Sequence, residues 1–174
     1  CPPAKSVGQK SWVSILGLDA FVLMKQPKML IFFVFSMLLG AALQITNMLG
    51  QDFLGDFGKI DQYKDAFAVQ HTGILMSISQ ISETVFILVI PFFLIRYGIK
   101  KVMLLSMIAW VLRFGLFAFG NPGNGLILLI LSMVIYGFAF DFFNISGSLF
   151  VEKETDDKIR SSAQGLFMMM TNGF

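Results

Sequence analysis

The sequence has very few residues of the kinds that bind metals or form cross-links. Its 174 residues include one cysteine and one histidine, Cys1 and His71. A lone cysteine cannot form an internal disulfide, and a structural zinc site needs about four ligands. Membrane haem centres generally need histidine ligands as well. We therefore expect no disulfide framework, no metal and no other cofactor.

Charged residues are also scarce. The chain has 13 Lys and Arg, 11 Asp and Glu, and 20 Phe, and 56% of it is hydrophobic. This number of polar side chains is too small to cover the surface of a soluble globule. We therefore expect lipid to surround much of the chain. The net charge is only +2 and the bases lie between apolar segments, which argues against a nucleic-acid partner. The loops contain no enzyme motif, so we expect no catalytic activity.

Long apolar runs are what the chain has in abundance. A helix needs about 20 apolar residues to cross a bilayer. The sequence predicts spans over residues 29–50, 66–95, 102–120 and 126–150, and the start of another over 162–174. The second run is long enough for tilt or for a kink before Pro91. The predicted fold class is an all-α membrane protein, a helical bundle whose membrane domain covers residues 29–174.

The segments between the runs are polar and predict the orientation. Residues 1–28 contain a short apolar stretch from Trp12 to Met24, which predicts either a helix lying at the membrane interface or a plain linker. Segments 1–28, 96–101 and 151–161 hold ten Lys and Arg, whereas 51–65 and 121–125 hold two. By the positive-inside rule the first set is cytoplasmic, so both ends of the chain are expected on that side.

Two pairs of polar residues stand inside the apolar runs. Gln44 and Asn47 are three residues apart, and so are Gln80 and Glu83, so each pair shares a helix face. Hydrogen bonds between helices are one explanation for such pairs. An ionised carboxylate without a partner costs at least ~2.5 kcal/mol in the membrane. Glu83 is therefore expected to be protonated, paired or facing a watery cavity.

The fourth span carries a third polar set, Tyr136, Asp141, Asn144 and Ser148, and the aromatic ring of Phe140 stands beside it. Arg113 is the only base in the predicted spans, whereas Glu83 and Asp141 are two acids. At least one carboxyl therefore lacks a cationic partner, and such a carboxyl is a natural proton carrier. Amides and aromatic rings suit a neutral solute that forms several hydrogen bonds. A seam that only holds helices together stays open as an alternative.

Several segments carry a family resemblance. Residues 36–48 (SMLLGAALQITNM), 76–84 (MSISQISET) and 136–148 (YGFAFDFFNISGS) closely resemble the bacterial nucleoside:proton symporters, or nucleoside permeases, of the major facilitator superfamily. Residues 151–154 (VEKE) and 160–165 (RSSAQG) resemble the following loop of that family. The resemblance covers nearly the whole chain.

The resemblance implies an architecture. The chain would be part of the C-terminal six-helix half of a major facilitator transporter, from the end of the central loop to the start of the eleventh helix. The chain opens without an initiator methionine and closes within an apolar run, so we expect an internal piece of a longer protein. An N-terminal six-helix half would supply the other wall of the site, and the isolated chain should not transport. The expected location is the bacterial inner membrane.

The resemblance also implies a function, which is proton-coupled import of nucleosides by alternating access. Its partners would be a nucleoside, protons and the lipid bilayer. Glu83 and Asp141 would be the proton-coupling candidates. The nucleoside contacts would fall on Gln44, Asn47, Gln80, Glu83, Tyr136, Phe140 and Asp141.

Two other interpretations remain open. A sugar or sugar-acid proton symporter of the same superfamily would use amides and aromatic rings in the same way. A non-transporting membrane scaffold would use the polar seams only to join helices. A flat slot for a nucleobase would distinguish a nucleoside symporter from a sugar symporter. The rings of Phe140, Phe142 and Phe143 are available to form such a slot.

Overall fold

The computed structural model describes residues 18–173, and within that range the chain is helical and contains no strand. A 3-10 helix covers Leu18–Lys25, and a second short one covers Phe57–Lys59. The α-helices are α1 (Pro27–Asp56), α2 (Phe67–Gln70), α3 (Thr72–Phe119), α4 (Leu126–Glu154) and α5 (Arg160–Asn172). The predicted all-α class is confirmed.

Three of these helical segments are long and apolar enough to cross a membrane: Pro27–Lys59, Thr72–Phe119 and Leu126–Glu154. Their outer surfaces carry many exposed apolar side chains. Leu88, Ile95 and Phe119 are 79%, 88% and 82% exposed. Apolar surface on this scale needs lipid or other protein to cover it.

The helix α3 has 48 residues and is interrupted at Gly98, whose φ of 75° and ψ of 163° are not helical. Pro91 lies inside the helix, and the backbone leaves helical geometry at Gly98, within the basic segment 96–101. The two parts, 72–97 and 99–119, reach about 39 and 32 Å at ~1.5 Å per residue, so each is long enough for the ~30 Å hydrocarbon layer. Where each span lies in a membrane stays a prediction.

One structural unit comprises the described residues 18–41 and 151–173. Within it the first 3-10 helix packs on α5, and the Phe32 and Phe167 rings stack at 5.4 Å. Lys28 and Glu154 form an ion pair of 2.6 Å. Residues 12–17 of the predicted interfacial helix lie outside the described residues. Residues 18–24 of that segment belong to the 3-10 helix.

The second unit is Ala42–Phe150. Its apolar core has two clusters, where α3 and α4 supply most of the side chains. One is built from Leu54, Ala68, Leu75, Leu129 and Met133, and the other from Ile90, Val102 and Phe142. The rings of Phe138 and Phe142 stack at 4.0 Å beside the second cluster.

The helices α3 and α4 touch through their backbones at Gly137. A Cβ atom there would lie 2.4 Å from the Glu83 nitrogen and 2.5 Å from the Ser82 carbonyl carbon. The Ser82 hydroxyl also donates to the carbonyl of Val134 across the crossing. Small residues allow such close approach between helices in a membrane protein. The crossing places the turn that bears Glu83 against the turn that bears Tyr136.

We expect Gly98→Ala to lower the free energy of unfolding by about 1–3 kcal/mol, because its φ and ψ fall in a region that is essentially restricted to glycine. A Cβ would meet nothing within 4 Å, so the cost comes from the backbone alone. Reversible unfolding in detergent micelles measures it. Gly165→Ala, in ordinary helix with equally open surroundings, is the control and should not destabilise. Equal stability of the two variants would contradict the strained turn.

We expect Gly137→Ala to lower the free energy of unfolding by about 1–3 kcal/mol, because the added methyl group must push two helix backbones apart. Gly115→Ala, on α3 with open space around its Cβ, is the matched control and should be neutral or stabilising. The unfolding measurement in micelles applies here too. A Gly137 variant as stable as the Gly115 variant would show that the two backbones are not in contact.

Candidate functional site

A cavity of about 230 Å³ opens within the unit Ala42–Phe150. Most of the groups around it are polar, although the unit as a whole is apolar. The lining residues are Asn47, Gln51, Met76, Ser79, Gln80, Glu83, Arg113 and Tyr136.

Helical spacing explains how α1 and α3 present these side chains. Residues three or four apart lie on one face of a helix. Asn47 and Gln51 on α1 are four apart, and Met76, Gln80 and Glu83 on α3 continue the same spacing. Each helix therefore turns one polar stripe toward the cavity.

Tyr136 connects the lining groups of the three helices. It is only 7% exposed, and its hydroxyl lies close to the Glu83 carboxyl and the Asn47 amide. Its ring stacks on Phe140 at 5.6 Å with an interplanar angle of 10° and meets the edge of Trp110 at 5.8 Å. Tyr136 thus offers a fixed hydroxyl at the cavity wall.

Arg113 is buried at the edge of the cavity among aromatic rings. Its guanidinium carbon lies 4.2 Å from the centre of the Tyr136 ring and 5.1 Å from that of Trp110. It lies within electrostatic range of Glu83, yet it forms no salt bridge with any carboxylate of residues 18–173. The cation is therefore held by rings rather than by a paired acid.

The structure brings four of the seven predicted site residues together on the cavity: Asn47, Gln80, Glu83 and Tyr136. Phe140 stacks on Tyr136. Asp141 is 5% exposed and is not part of the lining, and its Oδ2 has no hydrogen-bond partner among residues 18–173. Gln44 is half-buried one turn before Asn47 and outside the lining. Their roles in binding remain predictions.

Sequence reasoning did not assign four of the lining residues to the site. Gln51, Met76 and Ser79 line the cavity, and each stands three or four residues from a predicted member. Extending the polar stripes by one turn would have found them. Arg113 was noted as the lone base at membrane depth, but the chain order gave no sign that it meets Tyr136.

The lining can hold a solute by hydrogen bonds and ring contacts. Amides both donate and accept, hydroxyls do the same, and an aromatic face packs on a flat ring or a sugar. Among residues 18–173 no group of three His, Cys, Asp or Glu side chains could hold a metal ion. The cavity wall can therefore bind a solute through amides, hydroxyls and rings, with one carboxyl and one guanidinium in the same lining.

Sequence comparison shows similarity to membrane permeases. The chain is 64% identical over 174 residues to the nucleoside permease NupG of Escherichia coli (strain K12), covering 99% of this chain and 42% of that protein. It is 61% identical over 173 residues to the xanthosine permease of the same organism, covering 99% of this chain and 41% of that protein. The chain thus spans about two fifths of the length of these relatives.

Structure comparison agrees. The crystal structure of an aspartate-to-alanine mutant of the nucleoside transporter NupG matches with a TM-score of 0.90 and 63% identity, over 99% of this chain and 43% of that one. The structure of NupG without that substitution matches with a TM-score of 0.85 and 64% identity, over 95% and 41%. The fold is therefore that of a multi-pass membrane protein of the major facilitator type, as the resemblance implied.

The profile of the family described as "Nucleoside H+ symporter" matches residues 1–174. This match extends over the whole sequence, including both polar stripes and Tyr136. It agrees with the relatives and with the fold, and it confirms the resemblance carried by residues 36–48, 76–84 and 136–148. The chain belongs to the nucleoside H+ symporter family.

Proposed function

We propose that the chain forms part of the C-terminal six-helix half of a proton-coupled nucleoside transporter of the bacterial inner membrane. In this proposal it works together with an N-terminal six-helix half by alternating access, and both ends of the chain lie on the cytoplasmic side. Family membership and the permease names of the relatives support transport rather than catalysis.

The observation that carries the proposal is the cavity at Tyr136. It is lined by amide, hydroxyl, carboxyl and aromatic groups from three helices that are otherwise apolar. Its volume of about 230 Å³ is below the ~300–1,000 Å³ usual for small-molecule sites. A partial cavity fits a site whose remaining wall comes from the other half of a transporter, because substrates in this class bind between two halves near the midplane.

In this proposal the amides of Asn47 and Gln80 hydrogen-bond the nucleoside, and the ring pair of Tyr136 and Phe140 packs on its flat surface. Amides match ribose hydroxyls and base edges because they donate and accept together. Stacked aromatic rings prefer another flat ring over a rounded aliphatic group. Gln44, on the same helix as Asn47, and Asp141, next to Phe140, complete the proposed contacts.

Glu83 and Asp141 are the proposed proton carriers. Glu83 lines the cavity close to Tyr136, whereas Asp141 is buried outside the lining with one carboxyl oxygen unpaired among residues 18–173. A carboxyl that is protonated in one conformation and ionised in the other links the transport cycle to the proton gradient. Arg113, the one cation at this depth among residues 18–173, carries one positive charge and cannot neutralise both acids.

Uptake of labelled uridine by proteoliposomes, with a pH gradient imposed, tests the proposal for the complete transporter. We expect concentrative uptake that unlabelled nucleosides compete away and that hexoses and sugar acids do not. The isolated chain should not transport, because alternating access needs two halves. Competition by sugars alone would favour the sugar symporter, and no uptake of either would favour a scaffold.

Truncating the cavity amides should weaken nucleoside binding. Asn47→Ala or Gln80→Ala leaves a hydrogen-bonding group of the nucleoside unpaired, which costs about 1–3 kcal/mol, or roughly fivefold or more in affinity. Equilibrium binding of uridine to the complete transporter measures the loss. Met48→Ala is the control, since Met48 is 75% exposed next to Asn47. Wild-type affinity in both amide variants would assign these residues to helix packing.

Removing a proton-carrying carboxyl should uncouple transport. Glu83→Gln and Asp141→Asn keep side-chain size but cannot titrate, so we expect at least one to abolish uphill uptake while downhill exchange continues. The measurement is concentrative uptake as a function of pH. Asp52→Asn, a change at an exposed acid on α1, should leave coupling intact. If both carboxyl variants concentrate uridine with the parental pH profile, neither residue carries the coupled proton.

A further inference from the structure

Arg113 has an environment that packing alone does not explain. It is 2% exposed, and its guanidinium lies among three aromatic rings: 4.2 Å from Tyr136, 5.1 Å from Trp110 and 5.6 Å from Phe114, measured to the ring centres. Cation–π attraction is strongest where water is excluded. The rings therefore hold the guanidinium in one position relative to Tyr136.

The backbone fixes the same arrangement. The Ser132 hydroxyl donates to the carbonyl of Arg113 at 3.0 Å, in a buried contact. Ser132 lies on α4, one turn before Tyr136. The helix turn that carries the guanidinium is thereby tied to the helix that carries the ring on which it packs.

The hydrogen-bonding capacity of Arg113 is incompletely used. Its Nε and Nη1 atoms are buried and have no hydrogen-bond partner among residues 18–173. A buried guanidinium without paired acceptors is costly, and an apolar side chain of similar volume often fills such a site at no loss of stability. A role for the charge accounts for a cation in this place better than a role in filling space.

The charged and titratable groups around Arg113 come from two helices. Glu83 on α3 and Tyr136 on α4 lie within its electrostatic range, and Asp141 on α4 lies within range of both of these residues. The helix α1 adds only neutral amides to the cavity wall, those of Asn47 and Gln51. The positive charge of Arg113 therefore acts on both Tyr136 and Glu83.

Building on the proposed function, we propose that Arg113 is a positioning residue of the transport site. Its guanidinium fixes the Tyr136 ring, and so the hydroxyl that lies close to Glu83 and Asn47, and its charge acts on the Glu83 carboxyl. A nucleoside then meets a hydroxyl and a carboxyl that are already oriented. Loss of the cation should reduce the affinity for substrate more than the rate of the transport cycle.

The test compares Arg113→Met with Arg113→Lys in the complete transporter, using the concentration dependence of uridine uptake in proteoliposomes. Methionine keeps the apolar stem and loses the charge, whereas lysine keeps a cation over the rings. We expect Arg113→Met to raise KM by about fivefold or more with the maximal rate within about twofold of the parent. Arg113→Lys should raise KM by only about two- to threefold.

A purely structural role predicts the reverse order. Methionine would then fill the pocket without a buried charge and behave more like the parent than lysine does. Arg96→Met is the matched control, because Arg96 also lies beside two rings, Phe92 at 6.0 Å and Tyr97 at 5.8 Å, but is exposed and away from the cavity. Its KM should equal that of the parent.

If Arg113→Met does not accumulate as folded protein, the lysine variant carries the test in a double-mutant cycle with Tyr136→Phe. The phenylalanine keeps the ring and removes the hydroxyl that Arg113 positions. Arg113→Lys should therefore change KM less in the Tyr136→Phe protein than in the parent.

Provided that the parent takes up uridine, three results would each overturn the inference. They are a parental KM in Arg113→Met, a KM in Arg113→Met closer to the parental value than that of Arg113→Lys, and independent effects of the two substitutions in the double-mutant cycle. Absence of uridine uptake by the parent would instead overturn the proposed function, and this inference with it.

Discussion

Close contact between two helix backbones at Gly137 determines the geometry of the cavity. With no side chain at this position, α4 lies against the backbone of Ser82 and Glu83 on α3. Lipid tails are as apolar as leucine, so helices in a membrane associate by tight packing and by hydrogen bonds between them. The Ser82 hydroxyl supplies such a bond to Val134. Because the two turns touch, Glu83 and Tyr136 become neighbours.

The polar side chains of the chain divide into two groups by their partners. Thr46, Ser36 and Ser146 donate back to carbonyls four residues earlier in their own helices, which is an ordinary way to bury a hydroxyl. Arg113 and Asp141 keep buried atoms without partners among residues 18–173. Unsatisfied groups of this kind are retained where a ligand, a proton or a conformational change uses them.

Much of the fold and part of the site followed from sequence pattern. Apolar runs of membrane length predict helices because the bilayer leaves backbone groups no other partner. Gln80 and Glu83 were predicted as a pair and both line the cavity, whereas of Gln44 and Asn47 only Asn47 does. Positions three apart on a helix differ by about 60° in direction. Spacing therefore assigns a face, and the packing of neighbouring helices decides which edge of that face meets the cavity.

The sequence by itself determined that this chain is a helical membrane protein, which residues break its apolar runs, and to which family it belongs, because those properties depend on local composition and on motifs. Only the tertiary structure decided that Asn47, Glu83, Arg113 and Tyr136 meet. Successive members of this set are 23 to 36 positions apart along the chain, and the set lies on three helices. Their meeting depends on a glycine that lets two backbones touch and on rings that hold a guanidinium, and neither contact leaves a periodic signal in the sequence.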